Sequence, residues 1–109
     1  MKNRAEELNG FTTELKTGLG KARLTVNEQD GIPFEVFITM GKSGGTITAK
    51  AEAIGRLISL ALRHDATIEE IVKQLIDISD DQPLYVGKKI IKSLPDAIAQ
   101  ELKKRYLKK

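Results

Sequence analysis

The sequence has no cysteine, no tryptophan, a single histidine, and only three Phe and two Tyr among 109 residues. Lack of cysteine excludes disulfides, thiolate nucleophiles and thiolate metal sites. With His64 alone, neither a histidine-based metal site nor a Ser–His triad is expected within one chain. The few aromatic rings provide no stacking surface of the kind single-stranded nucleic acids use. No run approaches the ~20 apolar residues of a membrane span. Met1-Lys2-Asn3-Arg4-Ala5-Glu6-Glu7-Leu8 carries no apolar stretch behind its charges, unlike a secretory signal. These absences predict a cytoplasmic protein with no membrane role.

What remains, 40% hydrophobic and 30% charged residues, suffices for one modest core, and the chain reads as a single domain over residues 1–109 with a lead-in at 1–10. The net charge of +3 is mild. Much of the excess lies in Lys103-Lys104-Arg105 and Lys108-Lys109, a basic tail over 104–109. Such a tail complements the negative end of a helix dipole. It could also contact phosphates, but without interleaved aromatic residues a nucleic-acid partner is not expected.

Residues 1–8 read as a frayed or short helical lead-in. Phe11-Thr12-Thr13-Glu14-Leu15-Lys16-Thr17 is strand-prone, and Gly18-Leu19-Gly20 is a turn. Lys21-Ala22-Arg23-Leu24-Thr25-Val26-Asn27 alternates as a half-buried strand does, with Ala22, Leu24 and Val26 facing inward. Asp30-Gly31 is hairpin chemistry. In the following strand Ile32, Phe34, Val36 and Ile38 share a face, and Pro33 suits a strand start or an edge. Residues 11–40 therefore predict a three-stranded antiparallel meander. Ile54, Leu57, Ile58, Ala61 and Leu62 then follow helical spacing, and Ala49, Ala51, Ala53 and Leu60 make the remaining surface small or apolar. That composition predicts a central core helix, with Gly55 tolerated where another backbone approaches.

Thr67-Ile68-Glu69-Glu70 is a capping box for a second helix that buries Ile68, Ile71, Val72, Leu75 and Ile76. Ser79-Asp80-Asp81-Gln82-Pro83 and Gly87 break the pattern, with Leu84-Tyr85-Val86 or Lys89-Ile90-Ile91 as a short strand. Ser93-Leu94-Pro95-Asp96 opens a last helix striped by Leu94, Ile98, Leu102 and Tyr106. Strands first and helices second predict an α+β fold, the meander followed by three helices packed on one sheet face.

Several segments, in this order, resemble a known family: Thr25-Val26-Asn27, Pro33-Phe34-Glu35-Val36-Phe37, Gly41-Lys42-Ser43-Gly44, Ala51-Glu52-Ala53-Ile54-Gly55-Arg56-Leu57-Ile58-Ser59, Glu70-Ile71-Val72-Lys73-Gln74-Leu75 and Ser93-Leu94-Pro95-Asp96-Ala97-Ile98-Ala99. The series is similar to the TSCPD domain, found near the C-terminus of adenosylcobalamin-dependent (class II) ribonucleotide reductases and also as small free-standing proteins. The likeness covers about residues 17–103. It implies an accessory domain without the reductase's catalytic barrel, so no enzymatic activity is expected. Where the family carries cysteines, this chain has Thr46, the Ser79–Asp81 region and Leu94. Any thiol relay or metal site those cysteines imply is missing, and no cofactor is expected. The chain reads as a free-standing relative or as a piece of a split reductase.

Candidate binding residues cluster around the loop before the first helix. Glycine-rich backbone running into a helix N-terminus can cradle an anion, with Lys42 adding charge and Ser43, Thr46 and Thr48 adding hydroxyls beside Gly44 and Gly45. The same glycines also suit a plain strand-to-helix connection. The loop is not a P-loop, since the glycine required upstream falls on Val36. Glu52 and Arg56 stand four apart on one helical face, and Glu35 could point at Arg56, at a ligand, or into a structural ion pair. Phe37, opposite the buried face of its strand, marks a surface for self-association. His64 and Asp96 read as helix-end residues. The expectation is a non-catalytic module that binds, senses or sequesters a nucleotide or phosphorylated small molecule, as a homo-oligomer. The alternative is an interaction subunit that docks on a ribonucleotide reductase, or on itself, without a small ligand.

Overall fold

Asp30 and Gly31 both take positive φ, 56° and 77°, the backbone of a two-residue turn whose twist matches the strands it joins. The computed structural model, which describes residues 1–41 and 45–107, uses that turn to pair β2 (Gly20–Gln29) with β3 (Ile32–Met40). β1 (Asn9–Thr17) pairs with β2 across Gly18-Leu19, giving an antiparallel sheet in the order β1-β2-β3. The expected meander is therefore present. A bulge between Asn27 and Glu28 shifts the register, so Asn27 faces Glu35 while Glu28 faces Pro33. Leu15, Ala22, Leu24, Val26, Val36 and Ile38 line the inner face, each 5% exposed or less. Ile32, expected on that face, is 58% exposed beside the turn.

Three helices follow: α1 (Gly45–Arg63), α2 (Ile68–Leu75) and α3 (Leu94–Tyr106), with a small hairpin of β4 (Leu84–Val86) and β5 (Lys89–Ile91) between the last two. The fold is α+β, as the element order implied. Both candidate short strands form and pair with each other, Leu84 against Ile91 and Val86 against Lys89. The capping box of α2 is complete: Thr67 Oγ1 accepts the Glu70 amide at 3.1 Å, and Glu70 Oε1 accepts the Thr67 amide at 2.8 Å. Ile68, Ile71 and Val72 of α2 and Leu94, Ile98 and Leu102 of α3 complete the core over the inner face.

Asp96 does more than favour a helix dipole. It is fully buried. Its Oδ1 accepts the Asp77 amide at 2.8 Å, and its Oδ2 accepts the Lys92 amide at 2.9 Å and Gln100 Nε2 at 2.8 Å. One carboxylate thus ties the end of α2, the end of β5 and the first turns of α3 together. Ser93 completes the junction: its hydroxyl donates to the Ile78 carbonyl at 2.6 Å and accepts the Asp96 amide at 3.2 Å. At the far end of α3, Tyr106 donates to Glu28 at the bulge, and Arg105 stacks 3.8 Å from the Phe11 ring centre. Burial, reinforced by the Glu28 carboxylate, raises the Tyr106 phenol well above the usual tyrosine range.

Two further expectations are corrected. Residues 1–8 form no helix; they run over the outer side of the sheet and are held there by side chains. α1 is not a central helix, because a broad side of it is covered by no other described element. Ala51, Gly55, Ile58, Ser59 and Leu62 are buried, whereas Leu57 and Leu60 are 65% and 49% exposed. Among the described residues no helix is long and apolar enough to cross a membrane.

Candidate functional site

β3 is an edge strand, and the free N–H and C=O groups of an edge need partners. α1 provides them. Ser59 Oγ accepts the Val36 N–H at 2.9 Å and donates to the Val36 carbonyl at 3.0 Å. A Cβ placed on Gly55 would stand 3.2 Å from the Val36 carbonyl oxygen and 3.4 Å from the Ile38 nitrogen. Helix and strand backbones touch here, which is the close approach that a mid-helix glycine implied.

The helix thereby straddles the sheet edge. One side feeds the core. The other, with Thr48, Glu52, Arg56, Leu60 and Arg63, rises beside Phe37 and Thr39 of the outer sheet face to form a cleft of about 710 Å³. Phe37 is 52% exposed in it. An open concavity of this size, apolar at its base with a few polar groups on its rim, is the usual form of a small-molecule site. Glu52 and Arg56 pair across one helical turn and both remain largely exposed. The first turn of α1 carries no acidic side chain, which leaves the positive end of its dipole uncompensated from within the turn.

Glu35 lies at the end of this region and is nearly fully buried. Arg4 clamps it with two bonds, Nε to Oε1 at 2.9 Å and Nη2 to Oε2 at 3.0 Å. Asn27 Nδ2 adds a third bond at 2.7 Å, and Arg63 Nη2 stands 3.7 Å away. The Arg4 bonds dominate over burial and hold the Glu35 carboxyl below its ordinary range, with Asn27 and the charge of Arg63 assisting. Arg63 also stacks 5.5 Å from the Phe34 ring centre, and its buried Nε has no hydrogen-bond partner among the described residues. The N-terminal strap is fastened at further points: the Lys2 amide to the Arg63 carbonyl at 3.0 Å, the Ala5 amide to Gln29 Oε1 at 2.7 Å, and Gln29 Nε2 to the Asn3 carbonyl at 3.0 Å.

Among the residues expected to bind a ligand, Lys42, Ser43 and Gly44 lie outside the described residues. Gly45 opens α1, Thr46 is exposed beside it, and Thr48 is half-buried on the cleft wall. Glu52 and Arg56 come together on that wall. Glu35 does not join them. It faces Arg4, Asn27 and Arg63 because the strap covers the outer sheet face at this end. Pattern reading had no signal for Arg4 or Arg63. Asn27 was within reach of the Asp30-Gly31 turn, but a simple two-residue hairpin register sets it opposite Phe34, and only the bulge delivers Glu35. Among the described residues no group of three or more His, Cys, Asp or Glu side chains is placed to hold a metal ion.

The TSCPD domain pattern matches residues 1–106. The chain is 34% identical over 76 residues to the Vitamin B12-dependent ribonucleotide reductase of Rhodopirellula baltica, which is 67% of this chain and 7% of that enzyme. It therefore spans only a small fraction of that relative's length. No solved structure matches the chain.

Proposed function

Starting from the fact that the chain belongs to the TSCPD domain family, we propose that it is a non-catalytic binding module. It takes up a nucleotide or similar phosphorylated small molecule in the cleft between β3 and α1. The observation that carries this reading is the cleft itself: an exposed aromatic ring, Phe37, and Leu60 line a concavity together with Thr48, Glu52, Arg56 and Arg63. A flat base can lie on the ring. A phosphate can sit toward the start of α1, where the helix dipole favours negative charge. The similarity to part of a ribonucleotide reductase supports a nucleotide in preference to other phosphorylated compounds. An NMR titration of the labelled protein with nucleoside mono-, di- and triphosphates tests this reading. Amide shifts confined to residues 36–63 support it, and shifts elsewhere or none oppose it.

One observation favours a second reading, docking on a reductase without a small ligand. Both cleft arginines already have carboxylate neighbours, Arg56 with Glu52 and Arg63 with Glu35, which weakens their pull on a free anion. Co-purification with a reductase, together with a silent nucleotide titration, would select it. In either case the protein acts by binding, and a cytoplasmic location is consistent with both.

A further inference from the structure

We infer that the exposed face of α1 is a self-complementary surface on which a second copy of this chain docks, antiparallel, about a two-fold axis near residues 54 and 55. Ala49, Glu52, Ala53, Arg56, Leu57 and Leu60 are all exposed. Their spacing, i, i+3, i+4, i+7, i+8 and i+11, places them along one side of the helix. Two of them are large and apolar, Leu57 at 65% and Leu60 at 49% exposure. No other described element covers this side.

The order of residues along the face identifies the occupant. The small side chains, Ala49 and Ala53, lie in the N-terminal half, and the large ones, Leu57 and Leu60, in the C-terminal half. Glu52 precedes Arg56. Antiparallel pairing about the stated axis sets Ala49 against the second copy's Leu60 and Ala53 against the second copy's Arg56 and Leu57. It also brings Glu52 of each copy within reach of Arg56 of the other. Large meets small and negative meets positive, twice, as an isologous interface requires. Parallel pairing does the reverse, placing leucine on leucine, alanine on alanine, and like charges together.

α1 is ~28 Å long, so a contact centred on it lies at the small end of stable interfaces, below roughly 1,200 Å² in total. The expected state is a concentration-dependent monomer–dimer equilibrium. Because Glu52, Arg56 and Leu60 also wall the cleft, the second copy's helix would narrow its opening. The inference does not rest on a ligand being bound there.

Sedimentation velocity of the full chain, without ligand, from about 1 to 500 µM spans the dissociation constants expected of such a contact. The average mass should rise from that of one chain, 12.1 kDa, toward twice that value. Glu52→Arg or Arg56→Glu alone should weaken association about tenfold or more, and the two together should restore it. Since the chain has no cysteine, single cysteines report the geometry cleanly. Ala53→Cys, close to the axis, should form an oxidised dimer, and Ala49→Cys should not. A monomer at every concentration, a double exchange that fails to restore association, or equal crosslinking at both positions overturns the inference. These positions are exposed, and circular dichroism of each variant separates lost association from lost folding.

Discussion

Ser59 and Val36 form a closed pair in which one hydroxyl serves both backbone groups of an edge residue, at 2.9 and 3.0 Å. The pair explains why a polar side chain is buried in a helix otherwise suited to apolar packing. It also explains why α1 sits on the sheet edge and not over its middle. Ser59→Ala leaves a buried N–H and C=O without partners, which costs about 2–4 kcal/mol for the two groups. Urea denaturation checks this through a lower midpoint at unchanged slope. A smaller loss than 1 kcal/mol would mean that the helix is not fastened to the strand in this way.

Gly55 belongs to the same contact. The β3 backbone, held by β2 on one side and Ser59 on the other, has little freedom to retreat from a larger residue. Gly55→Leu is expected to destabilise by about 2–3 kcal/mol despite the better helix propensity of leucine, because overpacking outweighs the ~1 kcal/mol gained. It should also displace Phe37 and reshape the cleft. Thermal unfolding measures the first effect and ligand titration the second.

Asp96 is the point where three segments meet. Asp96→Ala removes the acceptor for the Asp77 and Lys92 amides and for Gln100 Nε2 at a fully buried position. A loss of about 3 kcal/mol or more is expected, since unpaired buried donors cost more than a typical hydrogen bond yields. That corresponds to a fall in melting temperature of roughly 10 °C or more for a domain of this size. An unchanged melting temperature would show that the junction is held by packing alone.

Glu35 couples the strap to pH. Its carboxyl is held below the ordinary value of 4.5 in the folded protein, so folding favours the charged form. The resulting stability is fully present above the unfolded value and is lost as pH falls through the lower folded value. Glu35→Gln should therefore destabilise the protein near neutral pH and flatten the decline in stability below about pH 4.5. Chemical denaturation from pH 7 to pH 3 checks both. Parallel curves for wild type and variant would contradict this role.

The meander was legible because Ala22, Leu24 and Val26 alternate and Asp30-Gly31 allows a single turn type. The capping box at Thr67 and the Ser93 start of α3 were legible because caps are local chemistry. Exposure of Leu57 and Leu60 was not legible: an apolar helix surface looks alike whether another element, another chain or solvent faces it. Arg4 and Glu35 are 31 residues apart, and their meeting depends on a one-residue bulge and on the path of an irregular segment. Neither leaves a periodic trace. Asp96 shows the same limit from the other side. Its position in a first helical turn was readable, but burial arises from Asp77, Lys92 and Gln100 converging on it in space.

A thermal-shift panel of nucleotides, cyclic nucleotides and inorganic phosphate on wild type and Phe37→Ala tests the cleft most directly. Phe37 is half exposed, so its truncation should leave the unliganded melting temperature nearly unchanged. A ligand at 100 times its dissociation constant stabilises by about 2.7 kcal/mol, a rise of roughly 10 °C for a small domain. If the cleft binds a nucleotide, at least one nucleotide gives such a rise with wild type, Phe37→Ala loses it, and phosphate alone gives a smaller response. A flat panel with wild type, or a rise that Phe37→Ala retains in full, would contradict it.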